Sequence, residues 1–398
     1  MAEPVVDGSV AAGFEGVRDE FVANFVERGD VGAALAVHVD GEMVVDLWGG
    51  VVDPATGRKW ERDTPGLVYS VTKGATAVVV NLLAERGELD LDSPVASYWP
   101  EFGAGGKDRV TVAQLLSHQA GLPVPTEPLT RADLLAGTPV VEALARQEPL
   151  WEPGTRHGYH ALTFGWLTGE LVRRATGRSL GTVFAEEVAG PLGLDFWIGL
   201  PRDRAAAVAP LINGVPDPAA LDAITDPAAR ELVLRVVGAL SDPTSLFART
   251  LSTNGALPTP DAGSWNDPDV YAMEQPAANG ITTARSLSRL YAACVGEVDG
   301  VRILSEKALD RARVEQVRGP DEVLIAESRF GIGFQLGTAG APLLGDGSFG
   351  HAGAGGALGF GDATARVGFG YVQNQLGASL VGEPRTAALI AALSQALR

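Results

Sequence analysis

The chain has 398 residues, too many for one ordinary core, and its 46% apolar and 20% charged residues mark a folded rather than a disordered protein. A formal charge of −18 and the lack of any basic run exclude the electrostatic footprint of a nucleic-acid binder, and the acidic surface disfavours anionic membranes. No apolar run reaches membrane-spanning length, the N-terminus shows no signal-peptide pattern, and Cys294 is the only cysteine, so the default expectation is a cytoplasmic protein without disulfides.

In chain order, Phe14, Val17, Phe21, Val22 and Phe25 recur at helical spacing over residues 14–29. Two apolar runs follow, 33–39 and 43–48, joined at Asp40-Gly41, a strong hairpin signal because the tight turn needs positive φ. Residues 71–86 read as a helix stopped by Gly87. The middle is helical in character, with candidates at 112–117, 140–146, 160–176, 180–188, 217–240 and 284–295. Residues 241–279, rich in Pro, Asp, Asn and Gly, read as a long loop that walls or covers a site. Strand character returns at 330–336 and 366–372, and 385–397 closes as an amphipathic helix. The expected fold is therefore α/β plus all-α, a mixed antiparallel sheet flanked by helices and built from both ends of the chain. Residues 1–110 and 285–398 form the α/β part, 111–284 the inserted helical part, and the site lies in the cleft between them.

Chemistry is most concentrated at Ser70-Val71-Thr72-Lys73. The chain holds only four lysines against 27 arginines, so a lysine at 73 is notable. Lysine can lose its proton in a dry pocket, whereas arginine effectively cannot, so only lysine can serve as a base. Positions three apart share a helix face, and the helix start favours a developing oxyanion. Ser70 is the candidate nucleophile and Lys73 its base, although S-x-x-K alone is a weak motif. In Trp151-Glu-Pro-Gly-Thr-Arg-His157-Gly-Tyr159-His160, the Pro-Gly turn delivers Tyr159 just ahead of a helix. There a lysine ammonium would push the phenol toward phenolate and let it relay protons. Trp151 and His160 are candidate cleft walls, with core packing an equal alternative for Trp151. The glycine-crowded Phe349-Gly-His351-Ala-Gly353-Ala354-Gly-Gly356 suits an edge strand whose Ala354 amide joins that of Ser70 in an oxyanion hole. Gly345–Gly350 matches G-x-G-x-x-G but lacks a strand–turn–helix setting, so no dinucleotide site is expected. No histidine pair has zinc spacing, and neither a metal nor another cofactor is expected.

Taken in this order, the three segments resemble the serine β-lactamase and penicillin-binding-protein superfamily, closest to its class C-like branch with the family VIII carboxylesterases. Leu115–Pro123 and Pro276–Gly280 are family-like as well. The resemblance, over about 14–397, implies a β-lactamase-like fold and makes Ser70-Val-Thr-Lys73 the superfamily S-x-x-K, Tyr159 the second-motif tyrosine and His351-Ala-Gly353 a variant of K-T-G. The family's Y-x-N is here Tyr159-His160-Ala161, and the K-T-G lysine is His351, so the groups that grip a lactam side chain and a carboxylate are missing. The expectation is a serine carboxylesterase for small neutral esters, with His351 and Gly353 lining its substrate site. Two other readings stand beside it. One is an amidase, acyltransferase or weak β-lactamase on the same scaffold; the other is a non-catalytic binding or filament-forming homologue. The sequence leaves the oligomeric state open.

Overall fold

The structure is a computed structural model, and it describes residues 5–214, 224–257, 262–377 and 383–398. Its strands are β1 (Val6–Val10), β2 (Gly32–Val39), β3 (Glu42–Asp53), β4 (Arg58–Lys59), β5 (Gly66–Leu67), β6 (Phe196–Trp197), β7 (Ile281–Thr282), β8 (Val317–Pro320), β9 (Glu327–Phe330), β10 (Ser348–Ala352), β11 (Leu358–Asp362) and β12 (Val367–Gln373). A seven-stranded antiparallel sheet runs β1-β3-β2-β12-β11-β10, with β4 paired to β3. It thus draws strands from both ends of the chain, as expected. The β2–β3 hairpin turns at Asp40 and Gly41, both at positive φ.

The first helices are α1 (Glu15–Glu27), α2 (Thr72–Glu85), α3 (Val112–Leu116), α4 (Arg131–Ala136), α5 (Thr138–Arg146), α6 (Thr163–Thr176), α7 (Leu180–Phe184) and α8 (Gly190–Leu192). They are followed by α9 (Pro227–Ser241), α10 (Leu246–Ser252), α11 (Ala262–Trp265), α12 (Pro268–Ala272), α13 (Ala284–Val295), α14 (Glu306–Ala312) and α15 (Pro384–Ala396). Strand alternation sorts them onto two faces. Ala33, Leu35 and Val37 of β2 pack with Val17 and Phe21 of α1 and with Leu389 and Leu393 of α15. Ala34 and Ala36 point the other way, into a larger core shared with α2, α6 and α13. Helix α13 lies so close to β12 that a methyl added at Gly370 would sit 2.7 Å from the Ser288 nitrogen. His38 of β2 bonds Ser288 of this helix at 3.0 Å.

Three expectations need correction. The stretch 241–279 is not one loop: among its described residues lie α10, α11 and α12. Its Ser, Asp and Pro residues are helix starts. Ser245 accepts from the Ala248 amide, Asp267 accepts from the Asp269 amide, and Pro268 takes the first helical position. Helices of four to seven residues are also too short for a 3.6-residue period to show. The helix read at 217–240 begins at Pro227, capped by Asp226, and residues 217–223 of that reading lie outside the described residues. The strand read at 330–336 ends at Phe330, where a turn closes through the Gly331 amide to the Phe334 carbonyl (2.9 Å), with Gly333 at positive φ.

Among the described residues, no helix is long and apolar enough to cross a membrane. The close α13–β12 approach predicts that Gly370→Ala lowers unfolding stability by about 1–3 kcal/mol. A drop in the urea midpoint with unchanged slope is the expected readout.

Candidate active site

Ser70 is set at the mouth of α2 by three neighbouring strands of chain. β5 pairs with β7, and the Val68 amide donates to the Gly280 carbonyl (3.0 Å), fixing the approach to Ser70. Tyr69 then takes φ +45°, a conformation uncommon for a residue with a side chain, and the chain swings into α2. Ser70 itself therefore stands just before the helix rather than inside its first turn. Thr72 ties the bend down, its hydroxyl donating to the Tyr69 carbonyl and accepting from the Gly280 amide (2.8 Å).

Lys73, one turn on, is fully buried. Its Nζ lies 3.1 Å from Ser70 Oγ and donates to the carbonyls of Ala161 (2.7 Å) and Ala277 (2.9 Å). Burial drives its pKa well below the ordinary lysine value. A neutral amine has two N–H bonds and one lone pair. In that form both N–H groups go to the carbonyls and the lone pair faces the Ser70 hydroxyl, whereas the ammonium donates to all three oxygens. Neither carbonyl belongs to α2. Ala161 precedes α6, and Ala277 sits in a turn braced by Gln275, whose amide side chain donates to Leu162 and accepts from the Ala277 amide.

Tyr159 reaches the same oxygen from the other side, its hydroxyl donating to Ser70 Oγ at 2.8 Å. Burial raises its pKa, with the Asp321 carboxylate adding to the rise against the bond to Ser70. This corrects the expectation of a phenol driven toward phenolate. The Lys73 Nζ faces the Tyr159 ring, 4.7 Å from the centroid.

The other candidates divide. His160 is not a cleft residue. It is fully buried, Nε2 accepts from the Leu122 amide (3.0 Å), and Nδ1 donates to the Gly158 carbonyl (2.7 Å). Trp151 packs on Gly158, where an added methyl would sit 2.7 Å from its ring, and it meets the edge of His160. Both therefore support the segment that carries Tyr159. His351 also is buried rather than open to the cleft, its ring 5.9 Å from that of Tyr159. Its Nδ1 donates to the Ala352 carbonyl (2.7 Å), leaving Nε2 as a bare acceptor. Gly353 presses on the Val68 carbonyl, a spot where a side chain would overlap. That contact brings the turn Ala354–Gly356, just past β10, beside the Ser70 bend. Ser348 of the glycine-rich stretch is buried, bonded to Asp362 (2.7 Å) and remote in role from this cluster.

Sequence reasoning missed Asp321, the Ala161 and Ala277 carbonyls, and Phe330, which stacks on Tyr159 at 6.1 Å. Main-chain carbonyls leave no mark on residue identity. Asp321, in a Gly-Pro-Asp turn, reads from sequence as turn chemistry alone. A cavity of about 650 Å³ opens between α5 and α6, lined by Trp166, Arg173 and Glu274 among others, but it does not include Ser70, Lys73 or Tyr159.

A hydroxyl shared between a buried amine and a phenol, on a β-lactamase-like fold, defines a serine hydrolase. The chain belongs to the Beta-lactamase family, whose model it matches over residues 18–393. It is 38% identical over 383 residues to the Esterase/beta-lactamase LipL of Mycobacterium tuberculosis, across 94% of this chain and 84% of that protein. Its fold is similar to a family VIII carboxylesterase at TM-score 0.84 and 39% identity, over 98% of each chain. It is also similar to EstA from Arthrobacter nitroguajacolicus Rue61a at TM-score 0.83 and 34% identity, over 98% of this chain and 97% of that one.

The histidines around the site are held neutral by burial, His160 down to about 4 and His351 down to about 3. Their folded pKa values lie below the unfolded value of 6.5, so the folded state binds fewer protons as pH falls and loses stability. Histidine ¹⁵N shifts of the native protein should show both rings neutral at pH 5. Unfolding stability should decline on acidification below about pH 6.5.

Proposed function

We propose that the protein is a serine carboxylesterase that hydrolyses small neutral esters through an acyl-enzyme on Ser70. The observation that carries this reading is the shared Ser70 oxygen, 3.1 Å from the buried Lys73 Nζ and 2.8 Å from the Tyr159 hydroxyl. The esterase names of similar proteins support the substrate class.

In the first step the Lys73 lone pair takes the Ser70 proton as Oγ attacks the carbonyl carbon. The amides of Ser70 and Ala354 hold the oxyanion, a role supported by the contact of Gly353 with Val68. The bond from acyl carbon to alkoxy oxygen breaks, and Tyr159 gives its proton to the departing alkoxide. The proton held by Lys73 restores the phenol, so the resting charges return. In the second step water attacks the acyl carbon, Lys73 with Tyr159 accepting its proton, and Ser70 Oγ leaves as a hydroxyl.

The preference for neutral esters rests on two positions. Where the resemblance implies an asparagine, Ala161 packs its methyl among Tyr159, Val323 and Phe330 and lends only its carbonyl to Lys73. Where it implies a lysine, His351 is neutral and buried, a poor anchor for a carboxylate.

Short-chain 4-nitrophenyl esters should be hydrolysed far faster than nitrocefin, and a nitrocefin rate equal to the ester rate counts against the assignment. Ser70→Ala and Lys73→Arg should each lower ester kcat about a thousandfold or more, with the fold retained by circular dichroism. Only neutral Lys73 acts as base, so kcat/KM should fall as pH drops through its depressed pKa and level off above it.

A further inference from the structure

The β8–β9 hairpin contacts Tyr159 twice. Its turn supplies Asp321, whose side chain is 0% exposed. Asp321 Oδ1 accepts from the amides of Val323 (2.8 Å) and Leu324 (2.9 Å) within the turn, and from the amide of Tyr159 (2.9 Å), 162 residues away. Oδ2 accepts from the Ser328 hydroxyl (2.8 Å), which in turn bonds His157 Nε2 (2.9 Å). The Glu322 amide donates to the His157 carbonyl (3.1 Å), so the turn grips the Tyr159 segment on both sides of Gly158. At the end of β9, Phe330 stacks on the Tyr159 ring, its plane 11° from parallel.

An Asp that only shaped its own turn would need just the two local amides and could stay at the surface. Here a carboxylate is withdrawn from water, and its one long-range bond goes to the amide of the residue that touches Ser70. We infer that Asp321 is a positioning residue that fixes Tyr159 for proton delivery to the leaving alcohol. This rests on the proposed role of Tyr159 as proton donor. The same carboxylate, whose one ion-pair contact among the described residues is His157 Nε2 at 3.9 Å, also disfavours charge on the phenol and so favours the protonated donor.

The signature of a displaced proton donor is dependence on the leaving group. A 4-nitrophenolate departs without help, whereas an alkoxide needs the proton. Asp321→Ala should therefore lower kcat/KM, which reports acylation and not the shared deacylation, about 100-fold on an ethyl ester and about tenfold or less on the matching 4-nitrophenyl ester. Asp321→Asn, which keeps an acceptor oxygen for the three amides, should recover much of the ethyl-ester rate. Ser328→Ala, which only loosens the carboxylate, should show the same selectivity more weakly; it decides the matter if Asp321→Ala does not fold. Equal losses on both esters, or wild-type rates on both, in a folded variant overturn the inference. Tyr159→Phe is measured alongside. If it hydrolyses the ethyl ester at the wild-type rate, the reading of Tyr159 itself fails. If it is selectively slow while the Asp321 and Ser328 variants are not, only the role of Asp321 fails.

Discussion

The rest of the site depends on the burial of one lysine. Taking an amine out of water without a counter-ion favours loss of its proton, and among the described residues Lys73 has no carboxylate as a hydrogen-bond partner. Two carbonyls compensate part of the desolvation and fix the direction of the lone pair. A carboxylate in their place would hold the ammonium form and remove the base. The choice of neutral acceptors is thus what makes the amine a reagent and not half of an ion pair.

Those carbonyls also explain why the fold must be assembled before the site exists. Lys73 lies on α2, Ala161 ahead of α6, and Ala277 in the turn before β7. Each segment is secured by contacts of its own: His118 and Leu122 for the Tyr159–Ala161 stretch, and Gln275 and Asn279 for the Ala277 turn. Trp151 and His160, read from sequence as cleft walls, belong to that support. The site is a junction of three segments pinned from behind, in keeping with the need to hold reacting groups to within a fraction of an ångström.

Legibility from sequence followed the range of the interaction. The Asp40-Gly41 hairpin, the α2 stop at Gly87 and the preference for arginine that makes Lys73 one of only four lysines are local or compositional, and they could be read directly. The S-x-x-K pair met across the turn that leads into α2, where the Lys73 amide donates to the Ser70 carbonyl (3.0 Å). The short helices α10–α12 were hidden, since their caps use the same residues as loops. The ionisation of Tyr159 was misread, because burial enters only with tertiary structure: a neighbouring lysine suggested a phenol pushed toward phenolate, whereas desolvation raises its pKa. His351 likewise turned out buried, and Asp321 was invisible because its partner is an amide 162 residues away.

The uncharged state of the site bears on how a turnover ends. On the proposed chemistry an ester arrives neutral and its acyl half departs as a carboxylate. Lys73, Tyr159 and His351 are neutral where it forms, and the chain as a whole carries a formal −18. A carboxylate formed there would meet a buried histidine and not a fixed cation, in a chain of negative net charge. On the proposed chemistry, a buried histidine where the resemblance implies a fixed cation would favour release of the acid as well as disfavour anionic substrates.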